Sequence, residues 1–463
     1  MTQQQTSDAF DKEIEESLEA IKQNPRDHKA FNKLGNAYYG KGKYQEALEQ
    51  YLKAKEQAEK SNAKEWVYYS NIGDAYSRLG KLDEAIDNYE KALSMNPEDD
   101  WVNNGIGNAY SLKGDYGKSL EYYQRAISLN PKPVYYTNIG DVYRIKNEFS
   151  KAILYYEEAI GSDPQYAPAH NALGVIYYSR GEDDKAIEHY SKAIESDPDS
   201  FIYNANTGDA YRTSQNWDKA IEYYEKALKI APDDVLANNG IGVSYYSKGE
   251  YEKAIQHYTK AIQKEPGNYI YYSNIGDAYG ALDNWDKAIE NYEKALEISP
   301  TDDLTCNNLG NAYFRMGLYS KAIERYKSAI DAEPNKYPVY YSNVGDACRR
   351  LKRWDEAFEY YKKAVEKSAE IDPDDTTFRK NLGLAYNDRG VEFYSNREDD
   401  KAISDYKKAL ELIPEDPVIH HNLFLIYRDR GMYREGEESL REAIKLDPKN
   451  QSYSEELTNL KSK

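Results

Sequence analysis

The sequence predicts an all-α solenoid, and three observations carry that prediction. One phrase, Asn-x-Gly-Asp/Asn-Ala-Tyr, then a short polar gap, then Asp/Glu-x-Ala-Ile-x-x-Tyr-x-x-Ala-Ile/Leu, returns every 34 residues through the middle of the chain. Within it, apolar and small residues stand three and four apart, the spacing of amphipathic helices. A proline closes each copy, and proline cannot continue a helix.

The elements follow in order. Residues 1–27 form an N-terminal cap, in which Asp11 to Pro25 reads as an unpaired second helix. Residues 28–449 hold about twelve helix-turn-helix repeats, whose glycine falls at Gly35, Gly73, Gly107, Gly140, Gly174, Gly208, Gly242, Gly276, Gly310, Gly345 and Gly383, with Phe424 in the twelfth slot. Residues 450–463 supply a polar closing helix and tail. The glycine and the alanines twelve and nineteen residues after it (Ala220 and Ala227 follow Gly208) mark close backbone approach, where a larger side chain would force helices apart. Tyr follows the glycine by three and by sixteen residues in nearly every repeat, Cys348 and Leu440 being among the exceptions. Such rings bring large apolar area and a hydroxyl for a partly wet edge. After prolines such as Pro97, Pro232 and Pro300, acidic residues offer caps to the next helix.

Three departures break the pattern. The first repeat carries an extra turn around Lys55 to Lys64, and the tenth a similar one around Lys367 to Ile371. The eleventh inserts about seven residues near Asn387 to Arg397, expected between its two helices.

Composition narrows the function classes. The chain has 61 Lys and Arg against 80 Asp and Glu, a net charge of −19. That balance disfavours nucleic acid and anionic membrane surfaces, which are bound through basic patches, and a charged partner should be basic. Cys306 and Cys348 lie in different repeats without CxxC spacing, which excludes a disulfide framework and a cysteine zinc site. The N-terminal residues lack the basic and apolar regions of a signal peptide, and no window approaches a bilayer-spanning apolar run. A cytoplasmic location is the default expectation.

Gly, Tyr, Ala, Tyr, Ala and Pro at these offsets resemble the tetratricopeptide repeat over roughly residues 28–449. The resemblance implies antiparallel helix pairs stacked into a right-handed superhelix whose first helices line a concave groove. Neighbouring copies also differ systematically. One type reads Tyr-Tyr-Ser-Asn before its glycine, as at Tyr68 to Asn71 and Tyr271 to Asn274, and the other reads Asn-Asn, as at Asn103-Asn104 and Asn307-Asn308. The larger period is therefore 68 residues.

Positions that the resemblance places in the groove give two rows. The first is asparagine: Asn32, Asn71, Asn104, Asn138, Asn171, Asn206, Asn239, Asn274, Asn307, Asn343, Asn381 and Asn422. A carboxamide can donate to a C=O and accept from an N–H, so such a row could hold an extended peptide without reading its side chains. It is similar to the asparagine ladder in the repeat arm of O-linked N-acetylglucosamine transferase. Bridging between adjacent repeats, or exposure to water, is the other reading of the same residues. The second row is acidic: Asp74, Asp141, Asp209, Asp277 and Asp346, one per two repeats. It suits a basic or amide-rich segment. The alternative is bonding to the hydroxyls of Ser70, Thr137, Ser273 and Ser342 or to Arg144, Arg212 and Arg349.

The basic members of the carboxylate clamp that some of these repeats use for chaperone tails are absent. Most of the 48 tyrosines are expected to pack between repeats, and the six histidines are scattered without metal spacing. No catalytic set, metal site or cofactor motif stands outside the repeat pattern. The expected function is a non-catalytic scaffold gripping extended protein segments. The alternative is a structural protein whose solenoid ends stack on further copies of the chain into a fibre, with an extracellular place following if so.

Overall fold

The computed structural model describes the backbone of residues 3–63 and 65–461 and the side chains of 9–63 and 65–460. The outermost residues of both capping segments, and Lys64 at the end of the first extension, lie outside the described residues. Among the described residues there are 26 helices and no strand, and no helix is long and apolar enough to cross a membrane.

The chain divides into two compact halves, Met1–Ala231 and Pro232–Lys463. In the N-terminal half, the helix Gln3–Gln23 is followed by six helix pairs, the last ending at Ile230. In the C-terminal half, six pairs run from Val235 to Leu446 and the helix Gln451–Lys461 follows them. A typical repeat has a first helix of 13 residues (Phe201–Thr213) and a second of 14 (Trp217–Ile230). The turn between them needs one left-handed residue, Gly at positions such as Gly114 and Gly249 and Asn147, Gln215 or Asp283 in alternate repeats. Acidic caps form as the sequence implied: Asp99, Asp234 and Asp302 accept from the backbone N–H three residues on.

Eleven of the twelve pairs are locked by one contact. The ring of the tyrosine sixteen residues after the glycine lies flat on that glycine. A Cβ built on Gly208 would fall 2.7 Å from Tyr224 Cδ1, and one on Gly73 would fall 2.6 Å from Tyr89 Cε1. The alanines flanking that tyrosine, such as Ala220 and Ala227, are fully buried and let the helices close on it.

The two expected extensions are present: the second helices Tyr44–Lys60 and Trp354–Ile371 run to 17 and 18 residues. The eleventh repeat differs from expectation. Its extra residues do not separate the helices; they lengthen the first one, Thr377–Ser395, to 19 residues. Gly390, not Gly383, meets the tyrosine sixteen residues on, Tyr406, while Gly383 faces Leu412 and Ile413. The cause is helical periodicity: seven residues make almost two turns, so both glycines point to the same side.

Two substitutions separate glycine used for close approach from glycine that merely occupies a helix. Gly208→Ala should lower stability by roughly 1–3 kcal/mol, because the methyl overlaps the Tyr224 ring. Gly161→Ala, in the helix Phe149–Ser162 with open space around its Cα, should raise it by about 0.5–1 kcal/mol. Thermal or urea unfolding followed by circular dichroism measures both, and equal effects at the two sites would contradict the packing account.

Candidate functional site

In eight of the repeats the buried ring that lies on the glycine also donates its hydroxyl to the next residue of the first helix. Tyr89 donates to Asp74 Oδ1 at 2.7 Å, Tyr156 to Asp141 at 2.8 Å and Tyr224 to Asp209 at 2.6 Å. In the other half Tyr292 donates to Asp277 at 2.6 Å and Tyr361 to Asp346 at 2.7 Å. In three of the other repeats the acceptor is a carboxamide, Tyr51 on Asn36, Tyr123 on Asn108 and Tyr326 on Asn311, whereas Val175, Val243 and Val391 stand at that position in the fifth, seventh and eleventh. Burial pushes the Tyr123 phenol up to about 12, so it stays a proton donor at any physiological pH. Burial also raises the Asp74 carboxyl to about 6 and pushes Asp277 upward.

The hydroxyls expected to hold the acidic row are therefore not the ones that hold it. Thr137 bonds back to the Pro133 carbonyl, Ser273 meets Thr305, and Ser342 accepts from Asn381. The constant spacing of fifteen residues from Asp to Tyr was the available signal. The expected arginines do contribute: Arg144 and Arg212 lie 3.4 Å from Asp141 and Asp209, and Arg349 lies 3.7 Å from Asp346.

The asparagines join in twos across neighbouring repeats. Asn71 donates to Asn32 at 2.8 Å, Asn138 to Asn104 at 2.7 Å and Asn206 to Asn171 at 2.9 Å. In the C-terminal half Asn274 donates to Asn239 at 3.3 Å and Asn343 to Asn307 at 2.8 Å. Asn422 pairs with Asn387, at 2.9 Å, and not with Asn381. This is the register shift of the eleventh repeat seen again, and Asn387 is the row member that the sequence spacing concealed. Each bond uses one N–H of the donor and the oxygen of the acceptor. The donor's own carbonyl and the acceptor's own NH₂ keep capacity for another partner.

These rows border open clefts. In the N-terminal half a cleft of about 640 Å³ is lined by Asp74, Asn108 and Asp141 with Asn104, Asn138 and Trp101. In the C-terminal half one of about 770 Å³ is lined by Asp277, Asn311 and Asp346 with Asn308, Asn343 and Trp285. The Asp–Asn–Asp order is the same in both, one two-repeat period per cleft. A second feature escaped the sequence reading: large apolar residues six before the glycine are exposed at 34-residue spacing. They include Trp101 at 52 %, Ile202 at 56 %, Leu236 at 74 % and Leu304 at 50 %. Trp101 borders the first cleft.

The histidines are less scattered than expected. His170 and His189 meet through their Nδ1 atoms at 3.1 Å, and His170 Nε2 lies 3.1 Å from the Pro164 carbonyl oxygen. With Nε2–H of His170 donating to that carbonyl, its Nδ1 accepts and His189 Nδ1–H donates. Both rings are then neutral. No group of three or more metal-ligating side chains occurs among the described residues. Burial, and then the neighbouring His170, depresses the His189 imidazolium to about 4, and burial does the same at His257. A folded value below the unfolded one of about 6.5 means that this stability is complete above pH 6.5 and is lost as pH falls toward 4. Replacing His170→Asn and His189→Tyr, the residues used at equivalent positions in other repeats, should reduce the acid loss of stability between pH 7 and 4.5 by roughly 1–2 kcal/mol. Parallel melts of both proteins across that range measure it, and superimposable pH profiles would refute it.

Family models described as "Tetratricopeptide repeat" match residues 27–98, 102–133, 137–201, 206–269, 269–333, 307–376, 384–416 and 419–450. No curated protein matches the sequence. Among solved structures, the chain is 31% identical to one titled "Crystal structure of MamA protein", covering 36% of this chain and 92% of that one, with a TM-score of 0.35. A structure of PilF from Pseudomonas aeruginosa is 21% identical over 47% of this chain and 97% of that one, with a TM-score of 0.40. The Cut9–Hcn1 structure is 13% identical over 98% and 94%, with a TM-score of 0.37. With its matches spread over nearly the whole repeat region, and a glycine–tyrosine lock in eleven of twelve helix pairs, the chain belongs to the tetratricopeptide-repeat family.

Proposed function

We propose that this protein is a non-catalytic scaffold that grips extended, basic segments of other proteins along its first helices. Tetratricopeptide repeats generally mediate protein–protein interaction. The observation that carries the finer reading is the repetition of one lining, Asp–Asn–Asp with half-engaged carboxamides, in the cleft of each half. Carboxylates held from behind by a tyrosine hydroxyl are fixed in place, so little side-chain entropy is lost when a cation docks. The carboxamides can satisfy a peptide backbone, and the exposed apolar side chains at the edge can cover its alternate residues. A net charge of −19 would steer such a partner in.

End-to-end stacking into a fibre needs exposed apolar ends. The helix Gln451–Lys461 instead covers Phe424, Leu440 and Ala443 with the buried Tyr453, leaving a largely polar outer face. At the other end the Phe10 ring lies against Gly40, and the exposed residues that follow it in its helix are charged apart from Leu18 and Gln23. A constant mass near 53.4 kDa by light scattering over a hundredfold concentration range is therefore expected, and mass that grows with concentration would restore the fibre reading.

The groove reading is tested with an acetylated, amidated dodecapeptide of repeating Gly-Ser-Arg, labelled for fluorescence anisotropy. It should bind more weakly as salt rises from 50 to 500 mM, because exposed charges are screened. Combining Asp141→Asn with Asn138→Ala, and Asp346→Asn with Asn343→Ala, should weaken it about tenfold, or ~1.4 kcal/mol. Equal binding of the matching Gly-Ser-Glu peptide would overturn the proposal.

A further inference from the structure

Four of the five groove aspartates come with an arginine from their own helix: Arg78 five residues after the repeat glycine, and Arg144, Arg212 and Arg349 four residues after it. The fifth, Asp277, has Gly280 and Ala281 at those positions. The cleft of about 770 Å³ in the C-terminal half includes the space beside these two residues.

The N-terminal half shows what an arginine does there. Arg78 Nε donates to Tyr39 Oη at 3.2 Å, and its guanidinium lies 5.8 Å from the centre of the Tyr44 ring. Tyr39 and Tyr44 meet edge to face, 5.2 Å between centroids and 65° between planes. Asp74, accepting from Tyr89, completes the surroundings. At the equivalent positions three cycles of the two-repeat period later stand Tyr246, Tyr251 and Asp277. Tyr246 and Tyr251 meet in the same way, at 5.3 Å and 62°. Asp277 accepts from Tyr292 and from Asn308, both on Oδ1, and among the described residues no basic side chain reaches it within ion-pair distance. The hydroxyl, the ring pair and the carboxylate that surround Arg78 are therefore all repeated, without the arginine.

We infer that the space beside Ala281 is a receptor site for an arginine side chain of the bound protein segment, which takes the place that Arg78 fills from within. This rests on the groove reading above and sharpens it to one residue type. A guanidinium placed as Arg78 is would donate to the Tyr246 hydroxyl and stand beside the Asp277 carboxylate, and can lie over aromatic rings, Trp285 among those lining the cleft. An ammonium is a point charge and satisfies only one of these contacts well. Arg315 on the rim is the cation among these lining residues, and Asp346 is already met by Arg349 at 3.7 Å, which leaves Asp277 as the carboxylate without an arginine of its own.

The test uses the full chain and the Gly-Ser-Arg dodecapeptide, beside versions in which every arginine is lysine or citrulline. Ala281→Arg rebuilds the internal arginine at an exposed position in the last turn of the helix Tyr269–Ala281, where the fold is least exposed to damage. Asp277→Asn removes the carboxylate without changing its shape. Ala281→Arg and Asp277→Asn should each weaken the arginine peptide at least tenfold, and Glu290→Gln, which removes an exposed charge from the second helix Trp285–Ile298 outside the cleft lining, should change it less than twofold. The arginine peptide should bind at least tenfold tighter than the lysine and citrulline forms. If the peptide binds to wild type but Ala281→Arg leaves it unchanged, or lysine serves as well as arginine, the arginine site is wrong and the groove reading stands. If none of the peptides binds, the groove reading falls and the arginine site with it.

Discussion

Everything in this fold depends on a tyrosine ring lying face-on against a glycine sixteen residues earlier. The contact brings two helices together closely enough that no Cβ fits between them, and it repeats with Gly73 and Tyr89, Gly208 and Tyr224, Gly310 and Tyr326. Because the glycine has no side chain, the ring can approach the backbone of the first helix and fill the interface that a pair of larger residues would leave irregular. The flanking alanines are needed for the same reason. A repeat cannot bury this ring without its neighbours, which is why stacking, not the single hairpin, is the stable state.

The same ring joins packing to surface chemistry. Where a polar group stands one residue along the first helix its hydroxyl fixes that group, a carboxylate in five repeats and a carboxamide in three. The interior thereby sets the position and the protonation preference of the groups lining the clefts. Asp74 and Asp277 are half-buried carboxylates whose burial is offset by a donated hydrogen bond rather than by full exposure to water. Within each cleft the two-repeat alternation visible in the sequence becomes an alternation of acceptor charge, Asp74–Asn108–Asp141 in one and Asp277–Asn311–Asp346 in the other.

The repeat, its helical class and its glycine, tyrosine and alanine positions were legible in the sequence because each is imposed by short-range helix geometry. What the sequence concealed needed contacts between helices. The serine and threonine hydroxyls were the nearest candidates for the acidic row by local spacing, yet Tyr224 reaches Asp209 from the second helix and displaces them. His170 and His189 are nineteen residues apart and look unrelated until two helices bring their Nδ1 atoms together. The empty place beside Asp277 is an absence, detectable only against Arg78 in the equivalent surroundings. In the eleventh repeat the spacing itself misled, since Asn381 and Gly383 mimic the motif that Asn387 and Gly390 fulfil.

That eleventh repeat also shows how such a chain can change length. A residue added to a helix turns everything beyond it by about 100°, so most insertions would carry the glycine away from its tyrosine. Seven residues return it to within about 20° of the original face, and the helix Thr377–Ser395 absorbs them without disturbing the lock between Gly390 and Tyr406. Growth within a helix of this solenoid is thus effectively quantised: seven residues pass, while two or five would swing the lock most of the way to the far side. Lineages of such proteins should accordingly differ by whole repeats, by double turns, or in the loops, and seldom by the intermediate lengths that ordinary globular domains accept.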